Sequence, residues 1–247
     1  MAYEALAASY DRLTNDIPYE EILTFYRRLW AAYGVRPETA VDLGCGTGSM
    51  SVLLAREGLS VTGVDRSEEM LTLAADKAAE MENPPWFVRQ RMEKLRLPAT
   101  VDLAVCCLDG INYVTDPAAL RETFVRVCRA LNPGGLFLFD INSEAKLRGL
   151  DGQIFLDEDE DVFCLWRADF DEETRICAYG MDVFQKQGKL WRRSREEHLE
   201  YAYRTGELTQ WLSDAGFVNI NTYADRKLEP PAPDEQRIFI AAQKCNK

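Results

Sequence analysis

The chain has a single histidine, His198, no excess of basic residues, and no apolar run near the roughly 20 residues that span a bilayer. Its longest apolar stretch, 101–108, is interrupted by Asp102, so no membrane association is expected. Seven cysteines (Cys45, Cys106, Cys107, Cys128, Cys164, Cys177 and Cys245) include no CxxC pair and none near the histidine at metal-ligand spacing. No metal site follows, and reduced, mostly buried thiols are expected. Lys and Arg number 29 against 41 Asp and Glu, a net charge of −12 that repels phosphate backbones and argues against nucleic acid as a partner. The first ten residues carry Glu4 and lack a basic and apolar leader, so a cytoplasmic location is the expectation. What remains, 247 residues with 47% hydrophobic and 28% charged, suits one globular domain with room for an insertion.

From residue 39 onward short β-branched or aromatic runs alternate with helical patterns, the signature of a parallel sheet flanked by helices. Core strands are predicted at 39–43, 60–64, 86–90, 101–106 and 135–141, with helices at 49–57, 67–81 and 116–130. Ser67 reads as an N-cap, and Asn132-Pro133-Gly134-Gly135 as the turn ending the third helix. Amphipathic helices are expected at 3–14 and 18–33. Between 143 and 204 the period shifts towards two, giving antiparallel strands at 162–171, 176–186 and 190–203. A helix at 207–215 and strands at 218–224 and 237–243 close the chain, the last two as an antiparallel pair because no helix joins them. The expected organisation is a core of 1–142 and 205–247 with an N-terminal helical cover, and a β insertion of 143–204 serving as acceptor-site lid or dimer contact.

The most informative segment is Val41-Asp42-Leu43-Gly44-Cys45-Gly46-Thr47-Gly48, where a strand runs through glycines into a helix. Three glycines at alternate positions exceed what a tight turn needs and favour close approach to a ligand. The next strand ends at Asp65, which a doubly wound sheet sets beside the first loop, poised to accept both hydroxyls of a ribose. A dinucleotide would suit these features as well, and NAD is the runner-up cofactor. The charge of Asp42 decides against it: a pyrophosphate prefers a helix N-terminus without a carboxylate, whereas a ligand bearing an ammonium and a sulfonium gains from one. The spacing GxGxG also lacks the third glycine of the GxGxxG fingerprint.

With these residues, with Arg66-Ser67-Glu68-Glu69-Met70-Leu71 after Asp65, and with Leu131 to Gly135, the sequence resembles the class I S-adenosylmethionine-dependent methyltransferases. The resemblance implies an α/β, Rossmann-like seven-stranded sheet whose last strand is antiparallel, and S-adenosylmethionine as cofactor. It implies that Gly44, Cys45, Gly46 and Gly48 cradle the cofactor, that Asp42 orders its amino-acid end and that Asp65 holds its ribose. The adenine site would involve Gln90, Arg91 and Met92 with Arg66 and Met70. Many relatives carry an Asp where Arg91 stands; an arginine cannot accept from the adenine amino group, so Gln90 or a backbone group must. Leu108, Asp109, Gly110, Asn112 and Tyr113 follow the fourth strand, where the family places groups near the methionine moiety and substrate. Tyr10 and Tyr19 would fold over the cleft.

Methyl transfer from a sulfonium needs chiefly an in-line nucleophile and exclusion of water, so a general base is optional. If the acceptor loses a proton, His198, Asp109, Tyr113 and Tyr10 are the candidates, and Glu196 and Glu197 beside His198 favour its charged form. The expected acceptor is an O or N atom of a small molecule. An RNA methyltransferase and a non-catalytic cofactor-binding module are the alternatives, and a homodimer is the expected assembly if the insertion is a contact surface. The acidic run Asp157 to Asp161 reads as a solvated hairpin, and Arg192, Arg193 and Arg195 as a charged edge that discourages strand pairing.

Overall fold

The computed structural model describes residues 17–246. The expected helix at 3–14 and Tyr10 lie outside them. In chain order the first elements are α1 (Tyr19–Ala32), β1 (Thr39–Leu43), α2 (Ser49–Arg56), β2 (Ser60–Asp65), α3 (Glu68–Ala78), β3 (Trp86–Arg89) and β4 (Val101–Cys106). There follow α4 (Pro117–Ala130), β5 (Leu131–Asn142), α5 (Glu144–Gly149), β6 (Ile154–Glu158), β7 (Val162–Asp171), β8 (Ile176–Gln187) and β9 (Leu190–Tyr201). The chain closes with α6 (Thr205–Asp214), β10 (Phe217–Tyr223) and β11 (Arg237–Lys244).

Seven strands form one sheet in the order β10-β11-β5-β4-β1-β2-β3, with β11 antiparallel to both neighbours and the others parallel. Strand alternation sorts its side chains into two cores. Phe137, Phe139 and Ile141 of β5 pack with Ile238 and Ile240 of β11 against Phe124 of α4 and Leu208 and Leu212 of α6. Leu136 and Leu138 face the other way with Leu103, Val105 and Phe239, against Phe25, Tyr26 and Leu29 of α1 and Leu54 of α2. Alternation sets Asp42 on this second side, where α2 covers it.

Local signals explain the boundaries near the site. Ser67 accepts a hydrogen bond from the Met70 N–H and caps α3, and Asp116 accepts one from Ala118 at the start of α4, with Pro117 at the first helical position. The turn expected at Asn132 to Gly135 is instead a bulge within β5: Leu131 pairs with Val101 and Leu136 with Leu103, so the Pro-Gly segment loops out. Proline has no N–H for the ladder, which confines it to such irregularities.

The inserted sheet has four antiparallel strands, β6-β7-β8-β9, where three were expected. The added edge strand β6 is exposed along its whole length. Ile154, Phe155 and Leu156 are consecutive apolar residues, so β6 lacks the alternation that marks a half-buried strand. Of the acidic run, Asp157 and Glu158 end β6, and Asp159 to Asp161 form its turn into β7. Arg193 is not merely a solvated edge charge, because it and Arg167 pair with the buried Asp182. No helix among the described residues is long and apolar enough to cross a membrane.

Candidate active site

A cavity of about 250 Å³ opens at the carboxyl ends of β1, β2 and β4, the side on which open α/β sheets bind ligands. Its wall includes Tyr19, Asp42, Gly44, Cys45, Gly46, Asp65, Arg66, Met70, Gln90, Arg91, Met92, Leu108, Gly110 and Tyr113, fourteen residues that the sequence pointed to. Gly48, Asp109, Asn112 and His198 stand off the wall. Gly48 is the N-cap of α2, and a Cβ there would meet Ala74 of α3 at 2.9 Å, so its small size serves helix packing rather than ligand approach. Asp109 and His198 are treated below.

The glycine loop is held from two sides. The N–H groups of Gly44 and Cys45 donate to the Val64 carbonyl at 2.7 and 3.1 Å. Asp65 then accepts from Gly46 N–H at 3.0 Å and from Ser67 N–H at 2.8 Å, one bond to each carboxylate oxygen. Each oxygen keeps a lone pair for a further donor. Gly44 has φ 65°, and a Cβ on it would lie 2.8 Å from Met92 Cε. A side chain there would be strained by that φ, whereas the Met92 end could shift to make room.

Asp42 is 1% exposed, and its Oδ2 accepts from Ser51 Oγ of α2 at 2.6 Å. Burial pushes its carboxyl up to about 7; the Ser51 bond counters this, and the charge of Asp65 adds to it. A buried carboxylate opening on a cavity without a cationic side chain beside it in these hydrogen bonds is suited to a cationic ligand.

Gln90 does not supply the free acceptor expected of it. Its side-chain amide bonds Arg96 twice, Oε1 accepting from N–H at 2.9 Å and Nε2 donating to the carbonyl at 3.1 Å. The carboxylate on this part of the wall is Glu93, in a short 3₁₀ turn (Met92–Lys94) and paired with Arg91. Sequence reasoning passed over Glu93 because the expected acidic position lies two residues earlier. It also passed over Thr47, Met50, Cys107 and Asp116 of the wall. Asp116 entered the sequence reading only as the start of a helix, which gave no sign of the cavity.

Asp109 is turned away from the cavity into an ion pair, its Oδ1 accepting from Arg237 Nη2 at 2.8 Å. A carboxylate held in an ion pair off the cavity wall is not within reach of an acceptor proton, so Asp109 is not placed to take one. His198 is 2% exposed on the inward face of β9, between Glu196 and Glu200 in the strand's alternation. Its Nε2 lies 3.0 Å from Glu196 Oε2, and its ring meets that of Tyr113 edge to face at 6.0 Å. Tyr113 therefore joins the cavity wall to the polar face of the inserted sheet. Glu200 receives a hydrogen bond from Asn142 Nδ2 at 2.8 Å, and burial with the nearby Asp109 charge holds its carboxyl well above the usual range.

Residues 40–135 match the family model described as "Methyltransferase domain". A protein of Geobacillus sp. (strain WCH70), provisionally named a methyltransferase, is 33% identical over 99% of this chain and 100% of its own. Among solved structures, an S-adenosylmethionine-dependent methyltransferase from Clostridium acetobutylicum superposes with a TM-score of 0.88 at 28% identity, covering 99% of this chain and 100% of that one. The S-adenosylmethionine-bound CalS10, an amino pentose methyltransferase from Micromonospora echinaspora, shares the fold with a TM-score of 0.75 at 20% identity, over 99% and 98% of the two chains.

Proposed function

The chain belongs to the class I S-adenosylmethionine-dependent methyltransferases, and we propose that it moves a methyl group to an oxygen or nitrogen atom of a small molecule by in-line displacement. The observation that carries the cofactor assignment is the buried Asp42 behind the glycine loop, a donor set that fits a cation and disfavours a diphosphate. Bound S-adenosylmethionine supplies a methyl group made electrophilic by its sulfonium, so the protein's part is positioning and exclusion of water.

In this reading Asp42 faces the cofactor's ammonium, and Asp65 uses its remaining lone pairs for the ribose hydroxyls. Arg66, Met70, Arg91 and Met92 enclose the adenine, whose amino group donates to Glu93. Tyr19, Leu108 and Tyr113 bound the end where transfer occurs. His198, oriented by Glu196 and packed behind Tyr113, receives the proton of an acceptor that must lose one when that acceptor displaces the Tyr113 ring. Segment 143–204 covers the acceptor side, and its exposed edge β6 offers a homodimer contact, which size-exclusion chromatography at two concentrations tests directly. A cytoplasmic location belongs to the same proposal.

Calorimetry with S-adenosylmethionine and with NAD tests the cofactor: binding of the first alone is expected, and binding of NAD alone overturns the reading. Formation of S-adenosylhomocysteine with a pool of small metabolites separates an enzyme from a non-catalytic binding module. Turnover on bulk tRNA that falls steeply with salt would instead move the acceptor to RNA.

A further inference from the structure

Leu108 reaches the cavity wall from a turn whose shape its own residues disfavour. Leu108 and Asp109 have φ values of 54° and 53°, two successive non-glycine residues in the left-handed region. Such a conformation persists only when the surroundings hold it. Here the hold comes from Asp140 of β5, which is fully buried. Its Oδ1 accepts from the Leu108 N–H at 2.8 Å and its Oδ2 from the Asp109 N–H at 3.0 Å. Two adjacent N–H groups pointing at one carboxylate form the nest that a left-handed pair creates.

Arg237, the first residue of β11, locks this arrangement. Its guanidinium pairs with Asp140, donates to Asp109 Oδ1 at 2.8 Å and reaches Asn142 Oδ1 at 3.2 Å. Two carboxylates share one cation here, which outweighs burial and raises the guanidinium, while burial still leaves Asp140 raised despite the guanidinium's pull towards its charged form. The other end of the segment is fixed as firmly. Asn112 Nδ2 donates to the carbonyls of Asn142 and Tyr201 at 3.0 and 3.1 Å, and its Oδ1 accepts from the Asn142 N–H at 3.1 Å. Residues 108–113 thus run between two clamps, with Leu108 at one end and Tyr113 at the other, both on the wall.

We infer that Asp140 and Arg237 are positioning residues for the methyltransferase site: they hold the Leu108–Asp109 turn in the left-handed shape that sets the width of the cofactor cavity. The inference rests on the proposed function, and it adds a pair of residues that touch no ligand and act through the turn. An amide at 140 presents only one oxygen to two N–H donors and no longer matches the guanidinium.

The test uses the full chain and S-adenosylhomocysteine as probe, titrated calorimetrically well below the melting temperature of every variant. Asp140→Asn is expected to weaken binding at least tenfold. Adding Asp109→Gly to it is expected to recover most of the loss, because glycine takes a positive φ without help. Arg237→Lys keeps a charge but loses the fork, and is expected to bind about threefold more weakly. Leu212→Ala, on the core-facing side of α6, serves as a destabilised control whose affinity stays unchanged. If Asp140→Asn folds and binds like the parent while melting earlier, the pair is structural only and the inference fails. Should Asp140→Asn not fold, Arg237→Lys decides, and parental affinity there overturns the inference equally. A parent chain that binds neither S-adenosylmethionine nor S-adenosylhomocysteine would overturn the function itself, whereas binding by parent and variants alike overturns only the role of the pair.

Discussion

The two sheets of this molecule handle polar groups in opposite ways. The seven-stranded sheet is apolar on both faces, and its chemistry gathers at the strand ends, where Asp42, Asp65 and the turn after β4 meet the cavity. The four-stranded sheet carries ionisable groups along one buried face, with Glu196, His198 and Glu200 in register on β9 opposite Met181, Tyr179 and Cys177 of β8. A sheet sealed on both sides by helices leaves function only at its rim. A sheet folded over a site can place function along a strand. In the proposed function the core takes the part of the reaction that does not vary, and the insertion takes the acceptor.

This division of labour is exposed to four measurements. The largest effect is expected from His198→Gln: turnover, read as S-adenosylhomocysteine released with a metabolite pool, should fall by roughly 100-fold or more, the usual contribution of a general base, with cofactor affinity unchanged. A loss of cofactor binding instead would blur the boundary between the sheets. Next, Asp65→Ala should weaken S-adenosylmethionine binding by about 1 to 3 kcal/mol through lost charge-assisted hydrogen bonds; an unaltered dissociation constant contradicts its role at the ribose.

A smaller effect concerns pH. The Asp42 carboxyl is raised to about 7, chiefly by burial, and a cation binds best to its ionised form. Affinity should therefore decline as pH falls through about 7, by at most about tenfold per unit, with proton release on binding visible in buffers of different ionisation enthalpy. Asp42→Asn should abolish that slope. The unliganded chain shows the converse linkage. A carboxyl raised above its unfolded value binds an extra proton when folded, so its contribution to stability diminishes between the ordinary carboxylate range and about 7. Least of all should change when Asp157, Asp159 and Asp161 become Asn: within about 0.5 kcal/mol in stability, and no change in cofactor affinity. A marked change would give the exposed turn a role that its geometry does not suggest.

The core was legible in the sequence because each of its signals is local. The run Val41 to Gly48, the cap at Ser67 and the helix-free link between β10 and β11 each constrain the chain over a few residues, and together they describe one sheet. The insertion was read less well. Its strand β6 has no alternation, and α5 is only six residues long, too short to show a helical period. The site shows the same gradient. Residues on the glycine loop announce themselves, whereas the pairing of Asp140 with Arg237 depends on β11 lying antiparallel to β5 with Asn142 opposite Arg237. No spacing along the chain reveals that register. Asp109 was misread for the same reason, since the group that engages its carboxylate is distant in sequence.

The three hydrogen bonds of Asn112 carry a practical consequence for protein engineering. One side chain of the parallel sheet's loop ties the end of β5 to the end of β9. A chimera that imports a foreign inserted sheet at 143–204 would bring new neighbours to that amide without bringing a matching amide. Acceptor specificity should transplant between relatives only when residue 112 and the last turn of β5 travel with the graft.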